Sequence, residues 1–486
     1  MVVREGWSYS TDEIWEMLED STTTLEEVKR VLARLQSAGF LKRDVTSDRS
    51  EYAEEILFSH HPLVDVKPEY RFRFDFVGVL VVENFCVKVY PKYVSDPNAI
   101  DLHLGLALRV LKEMNKTSVN LHLHEEAPDL DAIDSPVSLM LFLIKDYVEN
   151  GLYIETTYRR ILDGNGNIDW DRTISHFLPV MVRNRPIYPE YISKDQSHRD
   201  TSYFKDLHLA VLGEILTQFA RMDLFETLRV PPIEIVAGSL ADLGSVDQIL
   251  YRIRQRYYSE FNDRNRILLS SFELFLEFVE ALSGSESIQY FGTTAFNLVW
   301  EEACGEVFGN QLKKPLDFET FGAGPNKRTL QPSRTIESYI ERPKWAINIQ
   351  HGETRVVEGK RTFKPDIVTI DEVAGRHRLV ILDAKYYLIR FSHGRLLGEP
   401  GVEDIAKQFL YALSLQGFAS DNAFDDISNC FIFPNFENHV VDLGSVSLSI
   451  LTRLGLAPVQ LRLLPVEDIF NAYLTKQQIG LDYLSI

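Results

Sequence analysis

The stretch that most restricts how this chain can fold is a short apolar run that ends in charge. Leu379-Val-Ile-Leu382 is followed at once by Asp383-Ala384-Lys385. Such a run suits a strand buried on both faces. Side chains alternate along a strand, so Asp383 and Lys385 share one face and Ala384 takes the other. Seventeen positions before Asp383, the segment Lys364-Pro365-Asp366 brings a second carboxylate, and Asp371-Glu372 with Gly375 can close a hairpin between the two. Two carboxylates and an ammonium in a buried sheet are costly unless they bind something. A structural ion pair between Asp383 and Lys385 is the plain reading, and a divalent metal acting on a phosphate is the functional one. Parts of the pattern recur at Pro128-Asp129, Glu27-Val28-Lys29 and Glu358-Gly359-Lys360, but never in this order, spacing and strand setting.

A chain of 486 residues is too long for one small core and predicts two to four domains. Its longest apolar run, around Leu139 to Ile144, falls far short of the roughly 20 residues a membrane span needs. It reads as buried helix. The N-terminus lacks an apolar signal core, so no membrane association and a cytoplasmic location are expected. Cys86, Cys304 and Cys430 lie too far apart for a zinc pattern and read as free thiols. The net charge of −20 argues against a free-standing, tight nucleic-acid binder. Between Arg342 and Lys364, however, six basic residues (Arg342, Lys344, Arg355, Lys360, Arg361, Lys364) face only Glu353 and Glu358, and this patch leads into Asp366.

The order of patterns predicts an α/β (α+β) chain. Residues 1–100 read as a helical, winged-helix-like region with a β-hairpin region, residues 101–285 as a mainly helical middle that would bind a partner, and residues 286–486 as a mixed sheet flanked by helices. Residues 11–44 suggest two short helices, the second capped within Ser21-Thr-Thr-Thr24, carrying Val28, Val31, Leu32 and Leu35 on one face and ended by Gly39. A winged helix and a plain helical hairpin both fit. Strands follow from Arg71 to Tyr93, with a tight turn at Glu83-Asn84. Tyr90-Pro91-Lys92-Tyr93 ends that hairpin as a possible protein-contact tip. Helical patterns cover 100–150, 203–222 and 246–283, with a loop at Asp163-Gly-Asn-Gly-Asn-Ile168. In the last third a helix at 294–308, strands at 344–350, 353–358, 363–370 and 378–389, a helix at 402–416 and a strand at Cys430 are expected.

Two flanking features add to the charged hairpin. Trp300-Glu301-Glu302 lies on the expected helix before it and can deliver a third carboxylate; Glu301 is the choice, with Glu302 the competitor because the two point about 100° apart. Lys407-Gln408-Phe-Leu-Tyr411 lies on the helix after it, with Gln408 and Tyr411 on one face. Together these resemble the PD-(D/E)xK nuclease superfamily. Gly166-Asn-Ile-Asp169-Trp170-Asp-Arg172-Thr173-Ile174 resembles a motif of McrC-type proteins. Phe76-Val-Gly78-Val-Leu, Val89-Tyr90-Pro91-Lys92-Tyr93 and Phe296-Asn-Leu-Val-Trp300-Glu301-Glu-Ala-Cys304 are similar to LlaJI-type restriction subunits, which are McrC relatives. The interval from Gln408 to Tyr411 is one residue shorter than in that pattern and leaves the role of Tyr411 open.

The resemblance implies that Asp366 and Asp383 bind Mg²⁺ with the Ala384 carbonyl, that Lys385 orients water or stabilises the phosphorane, and that Gln408 orients the metal shell or a phosphate, or else is a core polar residue. It implies an Mg²⁺-dependent DNA endonuclease subunit of an anti-phage restriction system, working with a McrB-like AAA+ GTPase ring; cutting two strands with one active site per chain argues for transient dimerisation of nuclease domains. The chain has no Gly-x4-Gly-Lys-(Ser/Thr) loop and so is not the motor. Rival readings are a GTPase-stimulating adaptor with a vestigial site and a PD-(D/E)xK repair nuclease. Asp169, Trp170 and Arg172 read as an interface anchor, Arg183 and Arg185 as phosphate contacts or a solvated loop, and His60-His61 and His208 as ordinary histidines.

Overall fold

The continuous apolar runs of the last third become the centre of a sheet. A computed structural model describes residues 1–17, 24–44, 71–82, 85–123, 136–199, 203–231, 233–282, 288–316, 334–349, 354–373, 375–392, 394–422 and 424–485. They group into two compact units, one of residues 1–114, 226–228 and 291–486, the other of 115–225 and 229–290. The N-terminal hundred residues and the C-terminal third, read as separate regions in the sequence, thus belong to one unit.

In the first unit five strands lie in the order Ile367–Val373, Arg376–Ala384, Asp426–Asn435, Val459–Pro465, Val441–Val446. The middle pairs are parallel and the outer pairs antiparallel. Parallel strands covered on both sides are apolar throughout, which is why Leu379–Leu382 and Cys430–Phe433 have no exposure. Helix Val402–Asp421 makes the crossover between the Asp383 and Phe431 strands. It packs Leu415 and Phe418 in a core with Val368, Leu379 and Ile381, and Phe409 in a core with Phe431, Phe433 and Val459. Helix Phe296–Val307 packs Phe296 and Trp300 on Phe470 of helix Val466–Thr475, with ring centroids 6.2 Å apart in both pairs.

Two boundaries differ from the sequence reading. Asp371 and Glu372 lie in the strand, not the turn, because Asp371 stands opposite Arg378 and forms an ion pair with it. The reversal comes at Gly375, with φ of +76°. The Asp383 strand stops at Ala384, and the chain beyond forms a small hairpin, Arg390–Ser392 with Arg395–Leu397.

At the N-terminus, Ser10 and Thr24 cap helices Thr11–Glu16 and Leu25–Ser37, each closing a capping box with the glutamate three residues on. Val28, Val31, Leu32 and Leu35 are all buried. After Gly39, Leu41–Asp44 pairs with Arg71–Phe74, which pairs with Ser8–Ser10, so the helices accompany a three-stranded sheet and are not a lone hairpin. A second sheet has the order Val2–Arg4, Phe85–Tyr90, Val77–Val82, Ile288–Thr293. Ser21–Thr23, His60-His61, Glu83-Asn84 and Pro128-Asp129 lie outside the described residues.

The second unit holds helices Pro136–Asn150, Tyr203–Arg221, Val246–Tyr257 and Asp263–Leu282. The single pattern read over 246–283 is broken at 258–262. This mainly helical region also contains an antiparallel sheet of Glu155–Leu162, Ile192–Arg199 and Asn167–Ile168, and an exposed hairpin, Val180–Val182 with Arg185–Ile187. Their polar or short sequences give little alternation to read. Among the described residues no helix is long and apolar enough to cross a membrane.

Gly78 shows why a glycine stands in the Phe76-Val-Gly78 motif. A Cβ there would lie 2.2 Å from the Phe291 carbonyl oxygen, and its φ of +148° disfavours any side chain. Gly78→Ala should therefore destabilise the protein by about 3 kcal/mol. Denaturant unfolding checks this, with Gly151→Ala, also at positive φ but in open space, as the control for strain alone.

Candidate active site

The strand register brings the two predicted acids together. Ile367 pairs with Leu382, so one step further along the ladder Asp366 faces Asp383. Asp366 Oδ2 accepts a hydrogen bond from the Ala384 backbone N–H at 3.0 Å. Behind Asp366 lies a clamp that the sequence did not reveal. The Asn310 amide donates to the Asp366 carbonyl at 2.7 Å and accepts from the Val368 N–H at 3.1 Å. Asn310 sits just past the helix that carries Glu301, so the end of that helix is tied to the backbone on either side of Ile367. Its only sequence signal was Gly309-Asn310, which reads as a helix stop.

Lys385 leaves the same strand end. Its N–H donates to the Ile432 carbonyl at 3.0 Å, and its Nζ lies 2.9 Å from Asp383 Oδ2 and 3.8 Å from Asp404 Oδ1. Asp404, absent from the sequence-based set, also meets Lys407 at 3.7 Å. Asp383 Oδ2 is buried and lacks a well-directed hydrogen bond despite the nearby ammonium.

The fields at this site are strong because water is excluded. Burial, then the charges of Asp383 and Glu301, push the Asp366 carboxyl up to about 8 against the pull of Lys385 and the Ala384 N–H. Asp383 is also raised, by burial first, against the pull of Lys385. Burial pulls Lys385 down, but Asp383, Asp404 and Asp366 outweigh it and raise it, so the amine stays charged.

Glu301 is raised by burial first and then by Asp383, and it also senses Lys385 and Lys364. Glu302 instead acts on the Tyr473 hydroxyl. The charge of Asp383 thus acts on Glu301, and that of Glu302 on Tyr473. Tyr411 is pushed up to about 12 by burial first and then by the charges of Asp383 and Asp366.

Gln408 goes elsewhere. It is fully buried, its amide donates to Asn429 Oδ1 at 2.6 Å, and Asn429 donates back to the Gln408 carbonyl at 2.8 Å. These bonds give Gln408 a core polar setting, the alternative to a ligand-shell role, and leave its buried Oε1 without a hydrogen bond among the described residues. Residues three apart on a helix differ by about 60° in direction, so Gln408 and Tyr411 do not share one environment.

The donor set fits a hard cation. Asp366 and Asp383 supply carboxylate oxygens, the buried Asp383 Oδ2 lacks a directed donor, and their mutual repulsion calls for positive charge. Among the described residues no cluster of three or more His, Cys, Asp or Glu side chains is spaced to hold a metal. A cation here would complete its shell with oxygens such as the Ala384 carbonyl and water, as Mg²⁺ does.

Of the other singled-out residues, Asp169 is buried and paired with Arg160 and Lys194, each at 3.3 Å, while Trp170 is exposed against Tyr188. Arg172 is exposed, as are Arg183 and Arg185 on the 180–187 hairpin. His208 is a core residue whose Nδ1 accepts from the Tyr153 N–H at 3.0 Å. Cys304 and Cys430 are buried free thiols, and Cys86 is partly exposed. Tyr90-Pro91-Lys92-Tyr93 is not an exposed tip: Pro91 and Tyr93 are buried, and Lys92 packs on Tyr386.

Comparison with known proteins places this architecture. The family model for the LlaJI restriction endonuclease matches residues 76–326 and 327–467, and the chain belongs to that family of restriction enzymes. Among curated relatives it is 25% identical over 425 residues to the type II restriction enzyme BsuMI component YdjA of Bacillus subtilis (strain 168), covering 85% of this chain and 83% of that protein. Among solved structures it aligns with a chain of the Thermococcus gammatolerans assembly of McrB AAA+ hexamers with bound McrC, at 12% identity, 98% coverage of both chains and a TM-score of 0.39. It also aligns with a chain of the McrBC complex of the same organism, at 14% identity, 62% and 84% coverage and a TM-score of 0.26.

The raised acids make a pH prediction. A carboxyl whose folded pKa lies above its unfolded value adds stability when protonated and loses it as pH rises toward the folded value. For Asp366 that window runs from near 4 to about 8. Metal-free protein in chelator should lose thermal stability across this window and level off above it. Asp383→Asn should flatten the decline, as melting temperatures taken from pH 5 to 9 would show.

Proposed function

We propose that this chain is the Mg²⁺-dependent nuclease subunit of a restriction system, hydrolysing DNA phosphodiester bonds at the Asp366–Asp383–Lys385 centre. The observation that carries this reading is the register opposition of Asp366 and Asp383 with Lys385 beside them. Asp366, Asp383 and the Ala384 carbonyl would hold the metal. Bound there, Mg²⁺ supplies Lewis-acid polarisation of the scissile phosphate and a more acidic water.

The chain's own groups do the rest. Lys385 is fixed in its charged form by Asp383 and Asp404, so it orients water or offsets charge on the phosphorane and does not act as the base. Glu301, half-buried with a raised carboxyl, is suited to hold the attacking water or take its proton. DNA would approach along the basic segment between Arg342 and Lys364. Its hairpin, Lys344–Asn348 with Thr354–Glu358, is exposed throughout, and Lys364 stands two residues before Asp366.

A McrB-like AAA+ GTPase ring is the partner this reading calls for, since the chain lacks a phosphate loop of its own. The second unit exposes Trp170, Ile174, Leu178, Met181 and Ile187, an apolar surface suited to a protein partner. One centre per chain also calls for two nuclease domains to meet transiently when both strands are cut.

The test is plasmid cleavage by wild type, Asp383→Ala and Lys385→Ala, each with the motor protein, nucleotide and Mg²⁺. Wild type should cut, and each variant should lose on the order of 10²–10³-fold in rate. Wild type that never cuts, or an Asp383→Ala variant that cuts equally well, removes the nuclease reading.

A further inference from the structure

The residue after the site lysine is held from behind by the first residues of the chain. Beyond Ala384 the alternation continues through the Lys385–Ile432 hydrogen bond, so Tyr386 projects opposite to Asp383 and Lys385. It is buried, and its ring lies 5.1 Å from that of Phe296, at the start of the Glu301 helix. Its hydroxyl donates to Glu5 Oε2 at 2.6 Å across 381 residues of sequence. The same oxygen accepts from the Lys92 backbone N–H at 3.1 Å, and Lys92 Nζ sits 4.4 Å from the centre of the Tyr386 ring.

Glu5 is itself firmly placed. The strand Val2–Arg4 pairs in parallel with Phe85–Tyr90, the terminal ammonium donates to the Cys86 carbonyl at 3.0 Å, and the Glu5 N–H donates to the Tyr90 carbonyl at 2.9 Å. Arg4 Nε donates to the Lys92 carbonyl at 3.0 Å. A carboxylate, an ammonium and a phenol in one enclosed site are expensive to assemble, and a sheet of apolar residues would be stable without them. What they hold is the residue next to Lys385, whose Nζ lies 2.9 Å from Asp383 Oδ2. Side-chain placement within about 1 Å matters at a catalytic centre, and an anchored neighbour on the opposite face restricts how the strand end can shift.

We infer that Glu5 and Lys92 are positioning residues for Lys385, acting through Tyr386, so that the N-terminal strand and the Tyr90-Pro91-Lys92-Tyr93 motif are parts of the active centre. The inference rests on the nuclease reading for its effect on rate, and on the hydrogen-bond geometry alone for its effect on Lys385.

Two measurements on the full-length protein test it separately. The first is DNA cleavage with the motor, nucleotide and Mg²⁺. Tyr386→Phe keeps the ring and its contact with Lys92 but removes the bond to Glu5; Glu5→Leu removes the acceptor; Glu5→Gln keeps an oxygen for both donors. Tyr386→Phe and Glu5→Leu should lower kcat about tenfold with KM for DNA within twofold, and Glu5→Gln should stay near wild type.

The second needs no activity. In competitive amine labelling read by mass spectrometry, Lys385 should react several-fold faster in Tyr386→Phe and Glu5→Leu than in wild type, with Lys407 as internal reference. Unchanged Lys385 labelling in both variants overturns the proposal whether or not the protein cuts DNA. So does Glu5→Gln losing as much kcat and melting temperature as Glu5→Leu, which marks a bond that only supports folding. Wild type that fails to cut while the labelling shift appears removes the nuclease reading and leaves the positioning of Lys385 standing.

Discussion

The opposition of Asp366 and Asp383 at the end of a buried antiparallel pair is the constraint around which the first unit is built. Two carboxylates facing each other away from water repel, and neither can be fully ionised without compensation. The protein supplies the compensation piecemeal: one backbone N–H to Asp366 and one ammonium to Asp383. The arrangement is destabilising by itself and persists because the surrounding structure fixes both strands. Leu379–Leu382 lock one strand between two layers, and the Asn310 clamp fixes the other.

That clamp and the Tyr386 anchor share a logic. Each uses polar groups in an otherwise apolar setting to set the position of one backbone atom, and each ties a distant element to the site. Asn310 couples the Glu301 helix to Asp366. Glu5 couples the first strand of the chain to the strand end that carries Lys385. The site is thus framed on three sides by the helix, the crossover helix with Tyr411 and Asp404, and the N-terminal sheet. Membership of a restriction endonuclease family gives this frame its context, and the unpaired demand for positive charge gives it a chemistry.

The core of this site was legible because its signals are local. The apolar run Leu379–Leu382, the alternation that puts Asp383 and Lys385 on one face, and the acid after Pro365 all follow from strand periodicity within 20 residues. The existence of the helices at 296–307 and 402–421 was equally plain. Harder to read were the polar strands at 155–162 and 192–199, whose side chains give little alternation, and the reach of the hairpin past Asp371, where a cross-strand ion pair outweighs turn propensity.

Local pattern alone placed Asp383 and Lys385 on one face at the end of a buried strand, since side-chain direction along a strand is fixed by residue parity. What needed the folded chain was that Asn310 clamps the backbone on either side of Ile367, that Gln408 bonds to Asn429, and that Glu5 holds the Tyr386 hydroxyl. Those outcomes depend on the rotation of a packed helix about its axis and on contacts between residues hundreds of positions apart. Neither is encoded in local spacing, because both are set by how whole elements pack against one another.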